Sequence, residues 1–265
     1  MLPQLAIATS SLKLPLRAAL KTAAMLQVQG VRIDARLELK PRELTETGKR
    51  DLSNLLKELN LKLAAVSFTV RRSLYEQTDL DARIAAIREA MKLTSKLSVS
   101  HLCLKIGKVP EDSNSVEFQR LHETLSDLTR YGNHIGVVLT VTPMGESPEC
   151  LKDILDSVRT GPLAIDFDPA IMVLNEINPA EAIRVLHQYI KQFSARDAVR
   201  DFSGGGQEVS LGRGEVIWDE TLATLAEIPY KGWLVVQRNH CDHPREEIEQ
   251  GLNYLKNVTG ELGWG

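Results

Sequence analysis

The chain has 265 residues, 43% of them hydrophobic, which is enough apolar sequence for one large core. Its 32 lysines and arginines against 35 aspartates and glutamates give a formal net charge of −3, which leaves no basic surplus for a nucleic-acid partner. Cys103, Cys150 and Cys241 lie too far apart for a disulfide framework or a zinc motif, so a reducing, cytoplasmic location is expected. The N-terminal segment has no apolar stretch long enough to cross a membrane, and no membrane partner is expected.

Short strand-like runs alternate with longer helical runs along the chain. The predicted strands cover residues 5–9, 30–34, 61–68, 100–106, 137–142, 163–168, a run from 190 to the charged pair at 196–197, and 233–236. The predicted helices cover residues 16–26, 41–59, 80–97, 116–131, 148–158, 179–189, 218–228 and 243–258. Helical crossovers of this kind make the connected strands parallel.

Eight such units without a break in composition predict an α/β fold, a (β/α)8 TIM barrel that forms one domain over residues 1–265. An open, doubly wound sheet is the alternative. The segment after its first strand, ATSSLKLP, lacks the glycines of a phosphate-binding turn, which favours the barrel. Because the carboxyl ends of barrel strands meet at one mouth, functional side chains are expected there.

Charged residues end the sixth and seventh predicted strands. Asp168 precedes Pro169, which keeps the backbone extended, so its carboxylate is expected either at the mouth or as the cap of a turn. Asp166 alternates with it and is expected to point the same way or to form a salt bridge. Arg196 and Asp197 are candidates for an internal ion pair, but we favour a mouth position for Asp197.

Two further segments follow or flank these strands. Arg200 and Asp201 are interpreted as part of a structural ion-pair network, and the glycines at 204–206 as a mobile loop. Arg71 and Arg72 follow the third strand, where they are either solvated or positioned to hold an anion at the mouth.

Several segments in this order resemble one known family. They are GVVLTVT, LAIDFDPAI, FSARD, SLGRGEV with WDETLATL, and IPYKGWLVVQ. The pattern looks like the xylose isomerase-like TIM barrel family, which includes sugar phosphate isomerases and epimerases and is related to endonuclease IV. The resemblance implies a divalent metal, Mn, Mg or Zn, bound by a glutamate, an aspartate, a histidine and a glutamate at the ends of strands five to eight.

Three of those four positions are substituted in this chain. They correspond to Thr142, Asp168, Ser194 and Gln237, and Asp168 alone keeps the family's residue type. The resemblance therefore implies a divergent sugar or sugar phosphate isomerase/epimerase barrel with a depleted metal site and no cofactor. Such a barrel would bind a small sugar or phosphorylated ligand without conventional isomerase catalysis. The alternative is an active metal-dependent isomerase or epimerase that uses Asp168 with non-standard partners.

The candidate residues follow from these two interpretations. The catalytic candidates are Asp168, Asp197 and Glu146, the last if a loop glutamate replaces Thr142. The candidate ligand-binding residues are Thr142, Asp168, Ser194, Arg196, Gln237, Arg238 and Arg71. Their arginines favour a neutral or anionic polar ligand over a divalent cation, unless the carboxylates of Asp34, Asp166, Asp197 and Asp201 neutralise them.

Overall fold

The computed structural model describes residues 3–41, 44–201 and 205–262. In these ranges the strands are β1 (Gln4–Ala8), β2 (Gly30–Asp34), β3 (Lys62–Ser67), β4 (His101–Lys105), β5 (Val138–Thr142), β6 (Leu163–Phe167), β7 (Ile190–Ala195), β8 (Asp197–Arg200), β9 (Gly206–Val209) and β10 (Trp233–Val236). The α-helices are α1 (Leu16–Met25), α2 (Glu46–Glu58), α3 (Leu80–Lys96), α4 (Val116–Ile135), α5 (Pro148–Ser157), α6 (Pro169–Leu174), α7 (Pro179–Leu186), α8 (Trp218–Glu227) and α9 (Pro244–Glu261), and a 3-10 helix (Thr9–Leu12) follows β1.

Eight of the strands form a closed parallel barrel in the order β1-β10-β7-β6-β5-β4-β3-β2. The first strand closes it, because Ala6 pairs with Gly30 of β2 on one side and with Val235 of β10 on the other. The predicted (β/α)8 barrel is confirmed, and the alternative of an open sheet is wrong. The carboxyl ends of all eight strands therefore lie around one mouth.

Short polar residues begin several of the helices that surround the barrel. The side chains of Ser147 and Asn178 accept hydrogen bonds from the first turns of α5 and α7, and a proline follows each of them. This combination satisfies free backbone N–H groups and presets the first helical residue. These caps fix where each helix starts relative to the strand before it.

The core has two parts. A large apolar cluster fills the space between strands and helices, with Val31 and Ile33 of β2 fully buried in it. A small inner cluster of Ala6, Ala8, Ala64 and Val235 packs within the barrel near Trp233. Because side chains alternate along a strand, the neighbours of Val31 and Ile33 point into the barrel. Polar side chains at these inward positions reach the mouth.

The connection between β7 and α8 differs from the prediction. Strands β8 and β9 form an antiparallel hairpin in which Arg200 pairs with Gly206. The sequence predicts a mobile loop at residues 204–206, but Gly206 begins β9, and Gly204 lies outside the described residues. The short helix α6 was also not predicted, and α2 begins at Glu46 rather than at residue 41, since Thr45 caps it. Residues 42–43 of that predicted helix lie outside the described ranges.

None of the helices in the described ranges combines the length and the hydropathy that a membrane crossing requires.

Candidate functional site

A cavity of about 370 Å³ opens at the carboxyl ends of the barrel strands, and we call it the mouth cavity. The positions that the resemblance pointed to, Thr142, Asp168, Ser194 and Gln237, all line it. The charged side chains in its wall are Arg32, Asp34, Lys105, Asp166, Asp168 and Arg196. Three are cations and three are anions, so the wall is close to neutral when all six are ionised. Its volume is in the range of sites for small molecules.

Arg32 of β2 reaches across the mouth cavity and joins three strands. Its Nη1 donates to Asp166 Oδ2 at 2.9 Å and to Ser194 Oγ at 2.9 Å, and its Nη2 donates to Gln237 Oε1. The Arg32 and Asp166 side chains are only 5% and 3% exposed. The structure thus places a buried guanidinium in direct contact with two of the four positions named above, Ser194 and Gln237.

Asp166 is the anionic partner of this guanidinium. Ser194 Oγ donates to its Oδ1 at 2.9 Å, and Thr142 Oγ1 donates to its Oδ2 at 3.3 Å. Burial raises the pKa of Asp166, while the positive charge of Arg32 acts in the opposite direction. The side chains of Thr142, Asp166, Ser194 and Arg32 therefore form one buried hydrogen-bonded network, and Asp166 makes the salt bridge considered from the sequence.

Asp168 forms a second ion pair beside the first. Its Oδ2 accepts from Arg196 Nη1 at 2.6 Å, and its Oδ1 accepts from the backbone N–H groups of Ala170 and Ile171, which begin α6. Arg196 also donates through Nε to Glu208 of the hairpin at 3.2 Å. Burial opposes the charge of Arg196, but its two carboxylate partners outweigh burial and raise its pKa. Asp168 is thus both a mouth residue and a helix cap, which were the two alternatives open from the sequence.

Arg238 lies behind the cavity wall instead of in it. Its Nε donates to Glu247 at 2.7 Å and its Nη1 to the backbone carbonyl of Glu208 at 2.9 Å. The neighbouring Gln237 faces the cavity and donates to Asn239 Oδ1 at 2.7 Å. Arg238 therefore links the hairpin to α9.

Asp197 does not lie at the mouth cavity, which differs from the predicted position. It is 1% exposed, and its carboxylate accepts from the backbone N–H groups of Gly212, Gly214 and Val216 and from Trp218 Nε1, at 2.9–3.2 Å. Side chains alternate along the strand, so Arg196 faces the cavity while Asp197 faces the segment before α8. Its contacts are those of a structural residue that shapes this segment.

Two more predicted residues lie away from the cavity wall. Glu146 is 2% exposed in the segment after β5, where its Oε2 accepts from Met144 N at 3.1 Å, and burial raises its pKa. Arg71 is exposed at the surface beyond β3. Arg200 does belong to an ion-pair network, but its partners are Glu215 and Glu176 and not the predicted Asp201.

Three charged residues of the site were not predicted from the sequence. Arg32 and Lys105 sit in the cavity wall, and Glu208 pairs with Arg196 just outside it. A signal for the first two exists, since each alternates with buried apolar residues of its strand, Val31 and Ile33 in one case, Leu104 and Ile106 in the other. No comparable signal exists for Glu208, because the hairpin that carries it was not predicted.

In the ranges that the structure describes, no three or more His, Cys, Asp or Glu side chains cluster in a way that could hold a metal ion. Two of the three carboxylates in the wall, Asp166 and Asp168, are instead paired with guanidinium groups, and the third, Asp34, accepts hydrogen bonds from backbone N–H groups and hydroxyls. The arrangement suits hydrogen bonding to a polar molecule, because buried charges, hydroxyls and amides converge on one space.

The chain belongs to the xylose isomerase-like TIM barrel family, whose model matches residues 20–258. A comparison with curated proteins found no match.

Solved structures share the fold over nearly the whole chain. A xylose isomerase domain protein from Planctomyces limnophilus is 23% identical with a TM-score of 0.89, and 100% of each chain is covered. A xylose isomerase-like TIM barrel protein from Mycobacterium smegmatis, in complex with magnesium, is 14% identical with a TM-score of 0.76, covering 99% of this chain and 98% of the other. D-psicose 3-epimerase from Clostridium cellulolyticum H10, with D-tagatose, is 16% identical with a TM-score of 0.78, covering 97% and 99%.

Proposed function

We propose that this protein binds a small sugar or phosphorylated sugar in the mouth cavity without a divalent metal and without conventional isomerase catalysis. The observation that carries the proposal is the position of Arg32. Its guanidinium bonds Asp166, Ser194 and Gln237, so a side chain of the protein supplies positive charge where the family resemblance implies metal ligands. Arg32 thus provides, at these positions, the positive charge that a metal ion would otherwise provide.

The donor set around Arg32 does not fit a divalent ion. Thr142, Ser194 and Gln237 offer neutral oxygens, whereas such ions require several anionic or imidazole ligands in fixed geometry. The one carboxylate among the four positions, Asp168, is already bound to Arg196. Two positive unit charges 4 Å apart repel each other by about 4 kcal/mol at an effective dielectric constant of 20. The repulsion between Arg32 and a divalent cation at that distance would be about twice as large.

The same substitutions remove the groups that conventional isomerisation needs. Moving a proton beside a sugar carbonyl requires a base within hydrogen-bond reach, a contribution of roughly 10²–10⁴ in rate. Thr142 and Gln237 stand at the positions of the two family glutamates, and a hydroxyl or an amide cannot act as that base near neutral pH. The cavity wall keeps hydrogen-bond donors and acceptors that can bind the hydroxyl groups of a sugar. This supports ligand binding without isomerisation.

Calorimetric titration with a panel of small ligands tests this proposal. The panel contains D-tagatose, D-xylose, gluconate and glucose 6-phosphate, each titrated once in EDTA and once in MnCl₂. We expect at least one of them to bind with the same affinity under both conditions, and Asn239→Ala, in the cavity wall, to weaken that binding. The exposed variant Arg72→Ala is the matched control and should bind like the wild type. Binding that appears only with Mn²⁺ would contradict the proposal.

A metal-dependent isomerase or epimerase is the second candidate. Two observations favour it: Asp168 is retained at the mouth cavity, and structural relatives include a magnesium complex and a D-psicose 3-epimerase. Incubating the protein with D-tagatose or D-xylose and Mn²⁺, and following the sugar by NMR, distinguishes the two. Conversion that stops on addition of EDTA would establish this candidate in place of the first.

A further inference from the structure

Lys105 differs from the other two cations in the wall of the mouth cavity. It ends β4 beside Thr142 of β5 and lines the cavity. Arg32 is paired with Asp166, and Arg196 is paired with Asp168 and Glu208. Within the described ranges, the side chain of Lys105 makes no hydrogen bond and no ion pair, so the three N–H donors of its ammonium group are all available.

Each carboxylate in the cavity wall already has other hydrogen-bond or ion-pair partners. Asp166 and Asp168 are occupied by the two arginines. Asp34 accepts four hydrogen bonds, from the backbone N–H groups of Arg36 and Leu37 and from the hydroxyls of Ser67 and Thr69, at 2.8–3.1 Å. The ammonium of Lys105 is therefore the wall's one charge that lacks a partner in the described structure.

Lys105 is exposed as a residue, so a ligand in the mouth cavity can reach its ammonium group, while the cavity wall around that group partly removes its hydration. Burial lowers the pKa of its ammonium group, and the positive charge of Arg196 lowers it further, although Asp168 and Glu208 act in the opposite direction. A negatively charged group placed beside Lys105 would offset the loss of hydration. A neutral ligand would leave the ammonium without a counter-ion.

We propose that Lys105 binds a negatively charged group of the ligand, a carboxylate or a phosphate. This rests on the proposed function, binding of a small polar molecule at the mouth cavity, and narrows its ligand class to sugar acids and sugar phosphates. Lys105 holds the charge, while the hydroxyl and amide side chains of the wall bind the hydroxyl groups of the same molecule. Charge-assisted hydrogen bonds of this kind are about twice as strong as neutral ones.

Chemical labelling tests the anion site on the wild-type protein. The rate at which acetic anhydride acetylates Lys105 is measured by mass spectrometry, alone and with saturating inorganic phosphate or gluconate. We expect the protecting anion to slow the reaction by about tenfold, the equivalent of one charge-assisted contact. Exposed Lys108, outside the cavity wall, is the internal control and should react at an unchanged rate. Protection by phosphate alone or by gluconate alone identifies the preferred anion, and unchanged rates with both would overturn the proposal.

Calorimetry with matched ligand pairs separates this proposal from the proposed function. Gluconate is compared with glucitol, and glucose 6-phosphate with glucose. We expect the wild type to prefer one charged member by about tenfold or more, Lys105→Met to lose that preference, and Lys108→Gln to keep it. If charged and neutral members bind equally, the role of Lys105 is wrong while the proposed function stands. If phosphate protects Lys105 but no sugar compound binds, the anion site stands and the proposed sugar ligand is wrong.

Discussion

Replacing Asp197 by alanine is expected to lower the free energy of unfolding by about 3–5 kcal/mol, the range for removing one partner of a buried charged network. The carboxylate accepts hydrogen bonds from the backbone of Gly212, Gly214 and Val216 and from the Trp218 indole, and all of these donors would lose their partner. Urea unfolding followed by tryptophan fluorescence measures the change, since Trp218 is 2% exposed and in direct contact with the mutated side chain.

The neighbouring acid Asp201 supplies the matched control. It is exposed near the same hairpin, and Asp201→Ala should change the free energy of unfolding by less than about 0.5 kcal/mol. An Asp197→Ala protein that is as stable as the wild type would contradict the structural role. Loss of ligand binding by such a stable variant would restore Asp197 as a functional candidate.

Replacing Arg32 by methionine is expected to lower the free energy of unfolding by about 3–5 kcal/mol, because Asp166 would remain buried without its counter-ion. Asp166 is 2% exposed, and the hydroxyls of Ser194 and Thr142 would be its only remaining partners of those described. The double variant Arg32→Met/Asp166→Asn should recover most of the loss, since it removes both charges. Chemical unfolding of the two single variants and the double variant gives the coupling energy directly.

Arg72→Met is the matched control for the arginine replacement, and it should unfold like the wild type because Arg72 is exposed. Two results would show that the pair does not organise the site. One is an Arg32→Met variant as stable as the wild type, and the other is a double variant no more stable than the single one.

The barrel was predictable because it follows from local patterns. Alternating strand and helix runs indicate parallel strands, and Ser147 and Asn178, each followed by proline, mark helix starts. The hairpin of β8 and β9 was not predictable in the same way. Its strands have four residues each and are only partly buried, so they carry little apolar alternation.

The site was predictable only in part, because its key contacts span the barrel. The family resemblance pointed to Thr142, Asp168, Ser194 and Gln237 at the ends of successive strands, and all four line the mouth cavity. Arg32 and Asp166, however, are 134 residues apart and belong to β2 and β6, so their pairing arises only when the barrel closes. The alternation of Arg32 with Val31 and Ile33 indicates that it points inward, but alternation does not tell which carboxylate it meets.

Titration of Mn²⁺ into the chelator-treated wild-type protein tests the central claim, that Arg32 replaces a divalent metal at the mouth cavity, most directly. We predict no saturable binding with one-to-one stoichiometry, and the same result for Mg²⁺ and Zn²⁺, because the guanidinium is in contact with Asp166, Ser194 and Gln237 and the carboxylate of Asp168 is held by Arg196. One tightly bound Mn²⁺ per chain, lost in the Asp168→Ala variant, would contradict the claim and establish a metal-dependent site.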